Sequence, residues 1–323
     1  MVPVYVHASD SLTCQETETE GLQSLTDAGH AYFPAYAMDH FKAHPKIGPM
    51  KLRRMDRASR MVCSGLENLQ AKAPLGPETG LFLGTFSAGS DAVEDFLSRY
   101  LKEGPLGANP MLFPNTVLNA PIGQAAIHLG WQGPNSMACQ NFLAGLAAVQ
   151  AAVNHISTHP DQVLVSGAVD ILSPFQFQVW KSHPTYGSRF VLGEGCCLIQ
   201  LSAQESGKKI LGFTQGRITG TPAFSFAQAF PAVREKFEQH WQRYGAPDTV
   251  WEFRPDDSHW AELFQQLYPN LPAQRACKAG CVGFGSYLAP YHLIQAAQIP
   301  GNHDITAFGL GGDVLILRLK VQA

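Results

Sequence analysis

The sequence has little of what marks a nucleic-acid-binding protein. Lysine and arginine number 23 against 26 acidic residues, the formal net charge is -3, and the longest basic cluster is Lys51-Leu52-Arg53-Arg54. A nucleic-acid-binding domain usually carries a basic patch or stripe along one face. We therefore expect no nucleic-acid partner and interpret the short cluster as a solvated loop.

Long hydrophobic runs are also missing. The longest apolar stretch, from Phe142 to Val153, is rich in Ala and Gly and is too short to cross a hydrocarbon core of about 30 Å. The N-terminal residues lack a basic segment followed by an apolar stretch and a small-residue cleavage site, which is the pattern of a signal peptide. The sequence therefore predicts a cytoplasmic protein without a membrane span.

The cysteines do not form a regular framework. They are odd in number and irregularly spaced, at Cys14, Cys63, Cys139, Cys196, Cys197, Cys277 and Cys281. Such a pattern predicts free thiols rather than disulfides. Cys277 and Cys281 have loose metal-type spacing, but no second Cys or His pair could complete a tetrahedral site. The glycine-rich segment 309–312 lies too near the C-terminus to precede a nucleotide-binding βαβ unit. We expect no metal and no cofactor.

What the sequence does contain is an alternation of strand-like and helical segments. The strand-like runs are rich in β-branched and aromatic residues and lie at 80–85, 162–167, 196–201, 210–213 and 314–319. Between the first two, residues 142–153 are apolar on nearly every side and small, which is typical of a helix buried between layers. Together these segments predict an α/β fold.

The best candidate for an internal boundary is the polar segment Ser202–Lys209. It is turn-rich and charged and lies between two strand-like runs. We therefore divide the chain into an N-terminal half, residues 1–205, and a shorter C-terminal half, residues 206–323. No repeat between the two halves is detectable in the sequence itself.

Six short motifs occur in a characteristic order. They are Arg53–Arg57 (RRMDR), Phe113–Asn119 (FPNTVLN), Leu129–Asn135 (LGWQGPN), Ser166–Asp170 (SGAVD), Phe190–Gly195 (FVLGEG) and Phe308–Gly312 (FGLGG). Each is weak alone, but in this order they resemble the β-ketoacyl synthases of fatty-acid and polyketide assembly. The resemblance implies a thiolase-like fold, in which two related α/β halves form an αβαβα layered structure.

The resemblance also identifies the residue at the position of the nucleophile. It continues without a gap from Gly133 to Ser166, and Phe142 then stands where an active ketosynthase has its cysteine. Only a thiolate there can accept the acyl chain as a thioester, so a phenyl ring excludes this chemistry. Cys139 could serve instead if a three-residue deletion were followed by a compensating insertion. The chain would then be a self-sufficient thiolase-like acyltransferase.

The other catalytic positions of the family are also altered. An active ketosynthase uses two histidines to stabilise the enolate and oxyanion. The first belongs to a motif that is absent here, with Phe253 in its region, and the second corresponds to a position near Phe284. Leu310 replaces the aromatic residue that gates the active site. The resemblance therefore implies a chain that does not condense acyl groups by itself.

In the replacement of its nucleophile, the chain resembles the chain-length factors of type II polyketide synthases. This implies a heterodimer with an active ketosynthase subunit that is served by an acyl carrier protein. By the same resemblance, Leu112, Phe113, Thr116 and Val117 line the acyl tunnel at the interface, although packing of a dimer interface explains them equally well. In its short, trimmed form the chain resembles the partner subunits of polyene-making type II systems, such as the aryl polyene pathways. A structural or carrier-docking partner without influence on chain length is the remaining alternative.

Overall fold

The computed structural model describes most of the chain. The described residues are 2–13, 22–24, 34–36, 38, 41–73, 75–182, 192–217, 226–251, 285–308 and 313–323. The predicted positions Phe253, Phe284 and Leu310 lie outside them, as do Cys277 and Cys281.

Nine of the described strands form one mixed sheet, and β2 and β3 form a separate pair. The strands are β1 (Val4–Thr13), β2 (Leu22–Ser24), β3 (Pro34–Tyr36), β4 (Gly80–Gly84), β5 (Asn135–Ala138), β6 (Leu164–Asp170), β7 (Gly195–Ser202), β8 (Lys208–Arg217), β9 (Thr249–Trp251), β10 (Gly301–Phe308) and β11 (Asp313–Val321). Their order in the large sheet is β5-β4-β6-β7-β1-β8-β11-β10-β9.

The helices alternate with these strands along the chain. Within the described residues they are α1 (Pro49–Leu52), α2 (Arg57–Lys72), α3 (Ser90–Glu103), α4 (Ala120–Leu129), α5 (Ala144–Thr158), α6 (Pro174–Ser182), α7 (Phe226–Tyr244) and α8 (Leu288–Ala296). Short 3-10 helices cover Gly104–Gly107, Phe113–Asn115 and Asn141–Leu143.

Local chemistry accounts for several helix ends. The Asp56 carboxylate caps α2 by accepting a hydrogen bond from the Ser59 N–H at 3.1 Å. Gly89, at φ 78°, precedes α3, and Gly130, at φ 67°, ends α4. Both angles lie in the left-handed region that glycine adopts without steric cost.

The two parts of the sheet repeat one topology. In the N-terminal part β4 is parallel to β5 and β6, β6 is antiparallel to β7, and β7 is antiparallel to β1. In the C-terminal part β9 is parallel to β10, β10 is antiparallel to β11, and β11 is antiparallel to β8. The strands β9, β10, β11 and β8 thus take the order and directions of β4, β6, β7 and β1. The prediction of two related halves is confirmed in the described strands.

The helices separate the structure into layers. Helices α2 and α4 pack on one face of the N-terminal strands, and α7 packs on β8 and β11. Between them, α5 contacts β4 and β6 on one side and α8 on the other, while α8 also contacts β10 and β7. The predicted αβαβα arrangement is therefore confirmed, and the apolar segment from residue 142 onward does form a core helix.

Two hydrophobic clusters follow from this layering. One lies around α5 and α8 and includes Leu146, Val149, Leu293 and Leu317, and the other lies beneath α2. Strand β1 pairs with both β7 and β8, so the sheet continues across the polar turn between them. The division at 205/206 stays a prediction. Among the described helices, none has both the length and the apolar character of a membrane span.

Candidate functional site

The candidate site lies where parallel strands end. Strands β4, β5 and β6 run in the same direction, so the segments that follow Gly84, Ala138 and Asp170 meet at one edge of the sheet. Helix α5 begins at this edge, directly after β5. In parallel α/β sheets the carboxyl ends of the strands are where ligand sites form.

Phe142 stands at the turn between β5 and α5. It belongs to the 3-10 helix Asn141–Leu143, and its side chain is only 4% exposed. The residue before it, Asn141, has φ 46°, a left-handed conformation that a non-glycine residue rarely adopts. The Phe142 ring packs against the Phe86 ring at 4.9 Å between centroids. The turn is thus sharp, and the volume beside it is filled by aromatic carbon.

The start of α5 is held closely by its neighbours. A Cβ at Gly84 would lie 2.2 Å from the carbonyl carbon of Ala144, and a Cβ at Gly145 would lie 2.2 Å from the carbonyl oxygen of Ser286. Both contacts are with backbone, which cannot move aside as a flexible side chain can. The first turn of α5 is therefore fixed between the end of β4 and the segment that leads into α8.

Asp170 joins the segments around this turn. Its Oδ1 accepts hydrogen bonds from Phe86 N–H at 2.7 Å, Ser87 N–H at 3.0 Å and Thr85 Oγ1 at 3.1 Å. Its Oδ2 accepts from Ser286 N–H at 2.5 Å. Burial raises the pKa of the Asp170 carboxyl, and the hydrogen bonds from Phe86, Ser286 and Ser87 oppose that rise.

A second pair of hydrogen bonds reinforces the same loop. Ser87 Oγ donates to Ile171 O at 2.8 Å, and Ile171 N–H donates to Ser87 Oγ at 2.9 Å. Thr85 Oγ1 accepts from Ala88 N–H at 2.8 Å. The loop after β4 is therefore attached to the end of β6 through several independent contacts.

The structure explains why the sequence motifs occur together. Arg57, from the first motif, forms an ion pair with the buried carboxylate of Glu194, from the fifth, with Nε to Oε2 at 3.0 Å. Asn115, from the second motif, donates through Nδ2 to Arg54 O at 2.9 Å. Asp170 belongs to the fourth motif. These residues support the segments around the site rather than line it.

Cys139, the alternative nucleophile, lies directly after β5. It is exposed and stands three positions before Phe142. Partial burial of the Cys139 thiol raises its pKa. A reactive cysteine normally has a lowered pKa because a cation, a histidine or a helix N-terminus stabilises the thiolate. The surroundings of Cys139 thus favour the neutral thiol.

The predicted interface segment is largely open to solvent. Leu112 and Thr116 are half-buried, whereas Phe113 is 60% and Val117 is 47% exposed. Phe113 also packs against Phe96 of α3, with ring centroids 5.9 Å apart. The four predicted residues share one short segment, and two of them present apolar surface.

Further exposed apolar side chains surround this segment. Helix α3 packs against the two 3-10 helices that follow it and against α6. The exposed residues of these elements are Leu97, Tyr100, Leu101, Leu106, Met111, Phe113, Val117, Leu118, Phe175 and Val179, and we call them the apolar face. The ten residues are 40–96% exposed, and an aromatic side chain carries roughly 150–250 Å², so their summed exposed area is on the order of 1,000 Å². Patches on monomeric proteins rarely exceed a few hundred Å².

Sequence reasoning missed two features of the site. Phe86 was not among the predicted site residues, although it follows a predicted strand end directly. The bonding of Asp170 across both halves was not predicted either, because only the folded chain brings Ser286 next to it. In the described part of the chain, no group of three His, Cys, Asp or Glu side chains is arranged to hold a metal.

Comparison with known structures supports the fold. Three of them, each at 14–16% identity, cover 98–100% of their own chains and 99% of this one with TM-scores of 0.76–0.77. One is the ishigamide ketosynthase/chain length factor. The second is a type II polyketide synthase ketosynthase in complex with its acyl-carrier protein, and the third is a ketosynthase in complex with its chain length factor from Xenorhabdus doucetiae.

Comparison of sequences identifies the family. The chain is 26% identical over 222 residues to 3-oxoacyl-[acyl-carrier-protein] synthase 2 from Synechocystis sp., which covers 60% of this chain and 53% of that protein. The chain thus matches about half the length of this curated relative. Residues 15–205, more than half of the chain, match the family model of the N-terminal domain of β-ketoacyl synthases. With the shared fold, this match shows that the chain belongs to the β-ketoacyl synthase family.

Proposed function

We propose that this chain is a non-catalytic ketosynthase-like subunit. It pairs with an active β-ketoacyl synthase, receives no acyl group itself, and shapes the tunnel into which the partner's acyl chain grows. The product is a polyketide or fatty-acid-like chain carried by an acyl carrier protein. A polyene-making type II system, such as an aryl polyene pathway, is the proposed setting.

The observation that carries the proposal is the side chain at the start of α5. The order and spacing of the sequence motifs support Phe142 as the residue at the nucleophile position, and Phe142 lies at a sharp turn between a parallel strand and a buried helix. That is the kind of turn that exposes a nucleophile in a catalytic subunit. A phenyl ring has no lone pair with which to form a thioester.

Cys139 supports the acyltransferase alternative less well. Its thiol is exposed at the end of β5, and its pKa is raised rather than lowered. At neutral pH a smaller fraction would therefore be thiolate than in an ordinary cysteine. A thiol-directed acyl probe would label Cys139 rapidly if the alternative were correct.

The apolar face supports the choice of a protein partner. Its exposed area is on the order of 1,000 Å², which compares with about 800 Å² per partner in a standard interface. Leu106 is 96% exposed, which costs free energy as long as the side chain stays in water. An active ketosynthase is the proposed occupant, because the solved complexes of similar fold pair ketosynthases with chain length factors.

The first experiment is co-expression with a ketosynthase encoded beside this chain. We expect a 1:1 complex by size-exclusion chromatography with mass determination, and condensation of acyl-carrier substrates by the pair alone. Activity should disappear when the partner's nucleophile is removed. It should not appear in the isolated chain carrying Phe142→Cys, because the histidine positions are also altered. Condensation by that variant alone would contradict the proposal.

A pair of matched variants tests the interface. Val117→Asp introduces a charge into the apolar face. The control, Val2→Asp, introduces the same charge near the N-terminus, outside that face, where Val2 is 36% exposed. Val117→Asp should weaken the complex at least about tenfold, because a charge in an interface core is costly to desolvate. Equal effects of the two variants would argue against the apolar face as the interface.

Variants of the interface segment separate tunnel shaping from simple docking. Leu112→Trp and Phe113→Trp narrow the proposed tunnel. Leu112→Ala and Phe113→Ala widen it. Under the proposal, product length shortens with Trp and lengthens with Ala while the complex persists. If the complex forms and product length does not change in any of them, the chain is only a docking partner.

A further inference from the structure

Two aromatic rings meet at the position assigned to the nucleophile. Phe142 is buried, whereas Phe86 is half-buried and lies against it with a centroid distance of 4.9 Å and an interplanar angle of 48°. The tilted contact is one of the favourable geometries for aromatic pairs. Phe86 is the more exposed of the two rings.

The backbone at Phe86 is held by Asp170. Its N–H donates to Asp170 Oδ1 at 2.7 Å, and the flanking Thr85 and Ser87 donate to the same oxygen. Three donors on one buried oxygen fix the loop after β4 more firmly than a single hydrogen bond would. The backbone that carries the Phe86 ring is therefore held by a carboxylate on β6.

The other oxygen of Asp170 reaches the C-terminal half. Oδ2 accepts from the N–H of Ser286, which lies just before α8. The carbonyl of Ser286 in turn sits against Gly145 in the first turn of α5. One side chain thus connects the Phe86 loop, the segment entering α8 and, through it, the start of the Phe142 helix.

We infer that Phe86 and Phe142 form a two-ring plug that closes this chain's own acyl slot, and that Asp170 is the positioning residue that holds the plug shut. The inference rests on the proposed function, since that assigns the slot to Phe142. It adds a second blocking residue, so the slot is closed by more than the loss of the cysteine.

The plug has a clear physical consequence. A single Phe142→Cys change would leave the Phe86 ring beside the new thiol, so an acyl or pantetheine thioester could not approach it. Space that is filled by packed aromatic carbon has no room for a ligand until a ring is removed. Acyl chains are thereby directed to the partner's active site.

The test measures access to position 142 by thiol labelling. Phe142→Cys is made in a Cys139→Ser background, and labelling by iodoacetamide is followed by peptide mass mapping, which separates residue 142 from the other cysteines of the chain. These are Cys14, Cys63, Cys196, Cys197, Cys277 and Cys281. The isolated full chain is used. We expect Cys at position 142 to react at least about tenfold more slowly than the native, exposed Cys139, because labelling of a closed site waits for local opening.

Removing the second ring should open the slot. Adding Phe86→Ala should accelerate labelling of position 142 by about tenfold or more, to near the rate of an exposed thiol. The matched control is Phe96→Ala, which deletes the same atoms from a half-buried ring that packs on Phe113 instead. It should leave the rate unchanged. Fast labelling with Phe86 present, or no acceleration without it, overturns the plug.

Asp170→Asn tests the positioning role. An amide can still accept from the Phe86 loop through one oxygen, but its NH₂ group cannot accept from Ser286 N–H. We expect intermediate acceleration of labelling, with Asp170→Glu closer to the parent. Circular dichroism verifies folding, and if Asp170→Asn does not fold, the Phe86 arm with its control still decides whether the plug exists.

The outcome is separable from that of the proposed function. Labelling needs neither the partner subunit nor condensation, so slow labelling together with condensation by the Phe142→Cys chain would remove the proposed function and leave the plug. Fast labelling in a chain that is active only with its partner would remove the plug and leave the proposed function.

Discussion

The two halves of the molecule each bury a carboxylate on corresponding strands, but they satisfy it differently. Asp170 ends β6 and accepts hydrogen bonds from backbone N–H groups and from Thr85. Asp304 lies on β10 and accepts from Arg318, His240 and Trp241. Within the described residues, the first has no cation among its hydrogen-bond donors, whereas the second forms an ion pair with Arg318 that is inaccessible to solvent.

The difference appears in the two pKa values. Burial raises the pKa of Asp170, and its N–H donors do not fully offset that effect. Burial also acts to raise the pKa of Asp304, but hydrogen bonds from His240 and Arg318 and the charge of Arg318 outweigh it, so this pKa is lowered.

The residues around Asp170 and those around Asp304 also hold different parts of the structure in place. Asp304, Arg318 and His240 fasten α7 onto the C-terminal strands, because Arg318 also donates to the carbonyls of Tyr244 and Gly245 at 2.7 Å each. Asp170 instead holds loops at the ends of strands, beside the candidate site. A buried ion pair secures the packing of α7, while backbone hydrogen bonds set the positions of loops at the site.

The largest expected effect comes from breaking the ion pair. Arg318→Met keeps much of the side-chain volume but leaves the buried Asp304 without its cation. Removing one partner of a buried pair typically costs about 3–5 kcal/mol. We expect the free energy of unfolding, measured by urea denaturation, to fall by that amount.

An exposed ion pair provides the control. Arg234 contacts Glu238 at 2.8 Å on the outer surface of α7, with both side chains more than half exposed. Arg234→Met should cost no more than about 0.5 kcal/mol, since such pairs are screened by water. If Arg318→Met cost as little as its control, the buried cluster would not be what secures α7.

Asp170→Ala should produce the next largest effect. It leaves the buried N–H groups of Phe86, Ser87 and Ser286 without their acceptor, and each such group costs about 1–3 kcal/mol if nothing replaces it. Water entering the space left by the carboxylate would satisfy some of them, so we expect a total loss of about 2–4 kcal/mol.

Asp170→Asn provides the matched comparison. Its remaining oxygen can serve one of the two arms, so the loss in urea denaturation should be about half that of Asp170→Ala. Equal losses in the two variants would mean that the carboxylate oxygens do not act separately on the Phe86 loop and on Ser286.

A third buried carboxylate, Asp56, sharpens the comparison because it too has no cation as a partner in the described part of the chain. It caps α2 through Oδ1, while its Oδ2 has no hydrogen-bond partner among the residues that the structure describes. Burial, with a smaller contribution from the charge of Asp91, raises the pKa of Asp56 from 3.8 to about 6. The folded protein therefore binds a proton that the unfolded chain has already released between these pH values.

The sign of the effect follows from this linkage. Burial of the charged Asp56 carboxylate lowers the stability of the native protein above about pH 6. Below the ordinary pKa of 3.8 the carboxyl is protonated in both states, and this loss of stability disappears. Asp56→Asn keeps the helix cap, so relative to the native protein it should gain about 1–3 kcal/mol in stability between pH 4 and pH 8. Urea denaturation of the variant and the native protein at both pH values measures the gain. If the difference in stability between the two proteins were the same at both, burial would not destabilise the charged Asp56.

The strands and the core helix could be predicted from the sequence because they depend on local pattern. The run 80–85 is β4, the run 162–167 is within two residues of the start of β6, and the apolar segment from 142 is the 3-10 turn and α5. Apolar runs bounded by turns report burial directly. The family and its thiolase-like fold followed from the order of six motifs.

The repeat between the halves could not be predicted from local pattern, and only the family resemblance implied it. Its members share strand order and direction, which are properties of the folded backbone, and not residue identities. The same holds for the site: Asp170 was within a recognised motif, but its partners Phe86 and Ser286 are separated from it by 84 and 116 positions. Hydrogen bonds over such distances leave no periodic signal in a single sequence.

The smallest expected effects concern the pH dependence of Asp170 and Asp304. Asp304, with its lowered pKa, contributes stability above the ordinary value of 3.8 and loses it as the pH falls through the folded value. The cost of Asp304→Asn should therefore shrink below about pH 4.

Asp170 should respond in the opposite direction. Its folded pKa is raised above 3.8, so the native protein becomes more stable relative to Asp170→Asn as the pH falls through that folded value. The cost of Asp170→Asn should therefore grow on acidification, where the cost of Asp304→Asn declines. Urea denaturation of both variants and the native protein across the acidic range measures the two trends. If the trends had the same sign, the contrast between a carboxylate held by backbone and one held by cations would fail.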